Sequence, residues 1–373
     1  KQAIVMQPDA EGFLYPKVDG EKCISCDLCE KRCPAGREMP EHHARLLGAQ
    51  AKDEALRRQS SSGGVFTLLA REVIRRGGVV FGAAFGENMR VEHVGAFDET
   101  ELSGMRGSKY VQSDATDAIG NAVSLLKREI PVLFSGTPCQ INGLLAALGN
   151  TKSDKLLTVD FVCHGVPSPG VFASYLVELE KKHGSRVLAY TFRDKRLGWK
   201  NFSAVATFEN GEEHAGTQTT EPYLYGFLQN LYLRPSCHSC SQLRGERHAA
   251  DITLADLWGA EKICPERDDD TGLSFVMANT QKGRQALEQS GMQLNAFSIR
   301  NFEGMTRANP SLLVPVKPHE KRAAFFKRYQ KHGFESERVM KLLRGPNATQ
   351  RVMKRVLHLP IGAMRRIKNR ISK

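Results

Sequence analysis

Apolar residues recur at helical steps from Val65 to Ile74, Gly77-Gly78 ends the run, and Val79-Val80-Phe81 opens a strand. The segment Ala115–Arg128 reads as a second helix. Val132–Phe134 then reads as a short buried strand, Ser135–Cys139 as a turn and Ile141 onward as a helix. "KLLTVDFVCHGVPSPGVFASYL" repeats that form as strand, loop and helix. Each of these two units puts a cysteine, Cys139 or Cys163, at the C-terminal end of its strand, the edge where parallel α/β sheets build sites. Residues 187–210 alternate as strands do, and the chain from about Pro318 is helical, with Gly333 as an interruption. Residues 37–59 are polar and Ala-rich, which predicts a helical connector on the surface, with His42 and His43 as solvated residues. The pattern divides the chain into 1–36, 37–59, 60–315 and 316–373. It predicts an α/β class with a mixed or parallel sheet in the third part.

Composition narrows the class. The 373 residues are 41% apolar and 25% charged, as in a folded globular chain long enough for two or three domains. No stretch of 18 apolar residues suits a membrane-spanning helix. Eight of the net 12 positive charges lie in Arg351–Lys373, where Val352, Val356, Leu357, Met364 and Ile367 are interspersed. That segment is a candidate for an anionic membrane surface or an acidic partner, with a solvated helix pair as the alternative. Nucleic acid is not expected, because no aromatic interleaving or reading fold accompanies the charge.

The nine cysteines carry the chemistry. Their odd number in a chain this long argues against a disulfide scaffold and suits a reducing compartment, the cytoplasm, with the basic end allowing a peripheral position at the inner face of the membrane. "CISCDLCEKRCP" steps Cys23, Cys26, Cys29 and Cys33 at intervals of three, three and four, and ends in Cys-Pro. Short C-x2-C turns converge thiolates on one small metal body, and this spacing is that of a [4Fe–4S] ligand run rather than of zinc. Upstream, Ala3-Ile4, Gly12-Phe13 and Tyr15-Pro16 resemble the stretch between the two cysteine runs of two-cluster ferredoxins. Residues 1–36 therefore read as the second half of such a domain, with the first half upstream of Lys1. Cys23, Cys26 and Cys29 would then hold one cluster, and Cys33 would serve the other. A single-cluster domain with Cys33 as fourth ligand is the alternative.

Cys237 and Cys240 form a further C-x2-C. With Cys139 and Cys163 they make four thiolates, enough for another [4Fe–4S] cluster. A four-cysteine zinc site and buried free thiols are the rivals. Cys264, also before a proline, is either a structural thiol or a donor to the first run. Two loops suit an anionic ligand. Ser60–Gly64, with Ser61, Ser62, Gly63 and Gly64, is a polar turn entering a helix, either a phosphate cradle or a plain helix cap. Gly104–Asp114 offers Ser108, Lys109 and Tyr110, a cation, a hydroxyl and a ring for a planar anion, or else a basic exposed loop.

Taken together, "SSGGVFTLLA", "GSKYVQS", "LFSGTPCQI", "CHGVPSP", "CHSC", "DITLADLWG" and "GLSFVM" make residues 1–307 similar to the beta-subunit family of coenzyme F420 hydrogenases and dehydrogenases. The resemblance implies a flavin-binding α/β core over 60–315, after a ferredoxin-like segment and before basic C-terminal helices. It implies FAD beside a cluster held by Cys139, Cys163, Cys237 and Cys240, and three clusters in the intact protein. Ser61, Ser62, Gly63, Gly64, Ser108, Lys109 and Tyr110 would lie at the flavin, with Lys109 as the charge near flavin or substrate. The implied activity is an oxidoreductase that links a ferredoxin or another one-electron carrier to two-electron chemistry at FAD on F420 or another small redox substrate. An electron-relay subunit without its own substrate and a zinc-stabilised binding module are the other readings.

Overall fold

The computed structural model describes residues 3–34, 40, 43–149, 153–242, 245, 247–300 and 302–344. The basic segment Arg351–Lys373 and His42 lie outside the described residues. The strands, in chain order, are β1 (Ile4–Pro8), β2 (Leu14–Val18), β3 (Arg45–Ala51), β4 (Val79–Phe85), β5 (Val91–Ala96), β6 (Val132–Ser135), β7 (Leu156–Phe161), β8 (Val187–Asp194), β9 (Ser203–Phe208), β10 (Glu213–Thr217), β11 (Ile252–Asp256), β12 (Ser274–Ala278) and β13 (Leu294–Ser298).

Eight strands form the main sheet, in the order β13-β3-β12-β11-β7-β6-β4-β5. Its centre, β11-β7-β6-β4, is parallel. β5, β12, β3 and β13 pair antiparallel to their neighbours. The sheet is mixed α/β, as the strand–loop–helix pattern predicts. Alternate residues divide between two covered faces. Val80 and Leu133 pack with Leu68 and Leu69 of helix Val65–Arg75. Val79, Phe81, Val132 and Phe134 pack with helices Thr116–Lys127 and Pro138–Leu148. Helices on both faces are what make these strands continuously apolar.

One expectation is corrected. Residues 45–51 of the expected helical connector are β3, an interior strand between β12 and β13. Only Glu54–Gln59 of that segment is helical. Its small residues suit close packing rather than a helix: a Cβ on Gly48 would stand 2.2 Å from the Phe297 ring. Composition gave alanine its helical weight, and tertiary burial overrode it.

The antiparallel sheet β8-β9-β10 packs with helix Pro169–His183 around an aromatic core that includes Tyr175, Phe192 and Tyr223. The hairpin β1-β2 docks there through fully buried Phe13. At its turn Gly12 takes φ +81, and a Cβ would stand 2.7 Å from the Gly170 Cα, so only glycine fits. Helices Arg322–His332 and Ser336–Arg344 flank Gly333, where the sequence marks the break. Among the described residues no helix is long and apolar enough to cross a membrane.

Candidate functional site

A cavity of about 820 Å³ opens at the C-terminal edge of the parallel strands. It lies within the range of about 300–1,000 Å³ usual for cofactor sites. Ser61, Ser62 and Gly64 line it, as do Ser108, Lys109 and Tyr110, so both candidate loops meet at one place. Their hydroxyls join directly, Ser61 Oγ to Ser108 Oγ at 2.8 Å. Ser62 Oγ donates to the Leu273 carbonyl at 2.9 Å. Gly63 lies behind the wall: its N–H donates to Ser274 Oγ at 2.9 Å, and a Cβ would come within 2.4 Å of the Ala49 carbonyl oxygen. Gly64, at φ +83, starts helix Val65–Arg75 without any side-chain cap. The first-turn N–H groups of that helix therefore have no protein acceptor from a cap, which suits an anion.

Lys109 Nζ donates to the carbonyls of Gly104 and Arg106, each at 2.8 Å. Burial lowers its pKa to about 7. Tyr110 stacks on Phe227 with ring centres 4.5 Å apart. Its hydroxyl accepts from Arg193 at 3.3 Å.

Cys163 lines the same cavity. The ionisation of its thiol responds to Cys139, Cys237 and Cys240, that of Cys139 to Cys240, and that of Cys237 to Cys139 and Cys240. The structure thus gathers the four thiols that the spacing singles out. Burial, followed by the neighbouring thiols, pushes Cys163 well up, and burial takes Cys237 up to about 11. Burial raises Cys139 too, against the lowering hydrogen bond from Thr137, although the residue keeps solvent exposure. Burial and mutual proximity thus favour the neutral thiol form of these side chains. Among the described residues no group of three or more His, Cys, Asp or Glu side chains is arranged to hold a metal ion.

Three loops hold these thiols. Thr137 N–H donates to Gln140 Oε1 at 2.9 Å and Thr137 Oγ1 lies 3.0 Å from Cys139 Sγ, which sets Cys139 in the first turn of Pro138–Leu148. Gly165 has φ +128, and a Cβ there would meet Cys237 Cβ at 3.3 Å, so glycine lets the Cys163 and Cys237 loops touch. Asn142, three residues after Cys139, donates to Gln242, two residues after Cys240.

Cys23, Cys26, Cys29 and Cys33 are all exposed on the loop and short helix beyond β2. Cys264 is 4% exposed and packs with Leu257, Ala260 and Phe275, as a core residue rather than a donor to the first run. His238 bonds the Val316 carbonyl at 3.0 Å, and His43 is exposed.

Residues 131–298 match the family model for the C terminus of the coenzyme F420 hydrogenase/dehydrogenase beta subunit. The resemblance read from the motifs is thereby shown over that segment. A chain of the F420-reducing [NiFe] hydrogenase complex from Methanosarcina barkeri shares the fold, with TM-score 0.50 and 17% identity over 73% of this chain and 89% of that one. Comparison with curated proteins gave no match. The segment matched to the beta-subunit family contains all four gathered cysteines, while the Ser61 and Ser108 loops lie outside it and reach the cavity through the fold.

Within the matched segment the structure adds residues that the sequence reading missed. Arg193 reaches Asp256 with Nη1 to Oδ2 at 2.7 Å, at the cavity wall. Its guanidinium lies 4.1 Å from the Phe202 ring centre and 5.5 Å from that of Trp258. Burial opposes its charge most strongly, yet Asp256 and Tyr110 together outweigh that and raise its pKa. Trp199 stacks on Trp258 at 4.7 Å and donates to Asp256 Oδ1 at 3.1 Å. Lys195 Nζ donates to the carbonyls of Arg57 and Thr271 at 2.6 Å and of Ser62 at 3.1 Å, which pins the serine loop from behind. Burial, then Arg193, lowers its pKa to about 7. The signal available was "FRDKRLGWK", cations and a tryptophan at the end of a strand.

His93 also faces the cavity, 7% exposed, with Nε2 3.0 Å from the Ser135 carbonyl. Burial takes its pKa down to about 4, against weaker upward pulls from Ser135 and Asp114. Folded His93 therefore resists a proton that the unfolded chain accepts below about pH 6.5. Its stabilising effect is complete above that pH and is lost as pH falls towards 4, by about 3 kcal/mol in all. Denaturation midpoints of wild type and His93→Gln between pH 4 and 7 are expected to show a flatter profile in the variant. Equal slopes would remove His93 as the cause.

Proposed function

We propose that this chain is an iron–sulfur flavoprotein oxidoreductase that couples single electrons from or to a ferredoxin-like carrier with two-electron chemistry at FAD, on F420 or another small redox substrate. The observation that carries the reading is one cavity lined by both polar loops and by Cys163, the thiol that Cys139, Cys237 and Cys240 adjoin. The residues fit the groups: Cys139, Cys163, Cys237 and Cys240 would hold a [4Fe–4S] cluster, and Cys23, Cys26, Cys29 and Cys33 would serve the ferredoxin-like part. Ser61, Ser62, Gly64, Ser108 and Tyr110 would hold FAD. A flavin exchanges electrons singly or as a hydride, which is why it belongs between clusters and a two-electron substrate.

The chain's own part is binding, orientation and charge. The uncapped start of Val65–Arg75 and the paired Ser61 and Ser108 hydroxyls would take phosphate oxygens. Lys195 fixes that loop by its carbonyls. Lys109, anchored by two carbonyls and close to neutrality in pKa, would hold or release a proton at Nζ beside the reacting ring. The Tyr110–Phe227 stack excludes water from one wall. Exposed Ile24 and Leu28 beside Cys23, Cys26 and Cys29 suit an electron-carrier partner. Free thiols point to a reducing compartment, the cytoplasm.

Protein purified without oxygen is expected to contain iron, acid-labile sulfide and FAD. Reduced ferredoxin should bleach the flavin, and one of F420, quinones or other ring acceptors should restore its colour. Zinc without flavin would sink the reading. Bleaching that no small acceptor reverses would instead mark an electron relay within a larger assembly.

A further inference from the structure

The two cysteine groups are tied to opposite ends of one helix. Pro138–Leu148 carries Cys139 in its first turn and ends at Gly149. There Arg32, which lies between Cys29 and Cys33, donates Nη1 to the Ala146 carbonyl at 3.0 Å. The contact is close: a Cβ on Gly149 would stand 1.8 Å from that same nitrogen, and Gly149 has φ +64. A helix leaves its last carbonyls unsatisfied and its C-terminus negative, so a guanidinium is drawn to this end. Among the described residues, the remaining hydrogen bonds and ion pairs of Cys23–Pro34 stay within residues 19–34. The loop is exposed, and among the described residues this contact alone ties it to the body by a hydrogen bond.

We infer that Arg32 is a positioning residue: it clamps the first cysteine run to the far end of the Cys139 helix and so sets the spacing between the two thiol groups. Eleven residues make the helix roughly 16 Å long, a rigid spacer of molecular scale. A one-electron exchange, in which one centre loses what the other gains, depends steeply on such spacing. The inference rests on the cluster reading above. It adds that Gly149 is glycine to admit the clamp, and that Cys23–Pro34 is held at a set distance rather than trailing from β2.

The test uses the full chain, purified anaerobically with its iron, as wild type, Arg32→Gln, Arg32→Lys and Gly149→Ala. Fully reduced wild type is expected to show splitting of its electron paramagnetic resonance signal from two interacting clusters. Arg32→Gln and Gly149→Ala are expected to keep wild-type iron and sulfide but to lose that splitting and to be cleaved faster by protease within Cys23–Pro34. Arg32→Lys, which keeps a cation at the helix end, should retain part of the splitting. Unchanged splitting and cleavage in Arg32→Gln would overturn the clamp while leaving the cluster reading intact. Loss of iron from Arg32→Gln would make Arg32 merely structural and would also overturn it. Wild type without iron would remove the cluster reading, and the inference with it.

Discussion

Replacing Cys163 with serine is expected to remove roughly four iron atoms per chain, those of one cluster, and to disconnect the flavin from one-electron donors. The effect should be large because Cys163 sits at the junction: it lines the cavity, and its thiol interacts with those of Cys139, Cys237 and Cys240. Loss of groups that merely support a metal ligand costs roughly 10–100-fold, so loss of a ligand should slow flavin reduction by at least roughly 100-fold. Cys139→Ser, Cys237→Ser and Cys240→Ser should behave alike, since the loops that hold them brace one another through Gly165 and the Asn142–Gln242 bond. Cys264→Ser is the control. It is buried among apolar residues and should change stability while leaving iron unchanged. Iron and sulfide content with stopped-flow flavin reduction decides the matter. Full iron in all four variants would show that these thiols hold no cluster.

Asp256→Ala is expected to destabilise the fold by about 3–5 kcal/mol, because it strands a buried guanidinium. The Arg193 and Asp256 side chains are only 5% and 16% exposed, and Trp199 would lose its acceptor as well. Removing both partners should cost much less, since two apolar groups leave no charge unpaired. Denaturation of Asp256→Ala, Arg193→Met and the double variant forms a cycle that isolates the pair. The aromatic layer of Phe202, Trp258 and Trp199 surrounds that guanidinium, so Asp256→Ala should also loosen the cavity wall and weaken flavin retention. Additive single losses would mean that the two side chains act independently.

Much of this was legible along the chain, for local reasons. The helix Val65–Arg75 and strands β4, β6 and β7 follow from apolar spacing and glycine stops, which are properties of neighbouring residues. The cysteine steps 23, 26, 29 and 33 and the pair 237 and 240 declare ligand chemistry because short turns set where their thiols point. Even the union of Cys139 and Cys163 with that pair could be counted, as four thiolates needing one centre.

What the linear pattern could not contain is pairing across distance. β3 reads as helix by composition, yet it joins β12 and β13 because two covering faces reward any small, flat strand there. Arg193 and Asp256, 63 positions apart, look like ordinary surface charges until the chain between them folds back and desolvates both. Arg32 looks like one more cation in a polar run until the end of the Cys139 helix arrives beside it. Sequence by itself determined which candidate ligands the chain offers, since residue type and turn spacing are local. Tertiary structure settled how far apart that chemistry is held and what surrounds it, since burial and dielectric belong to the assembled fold.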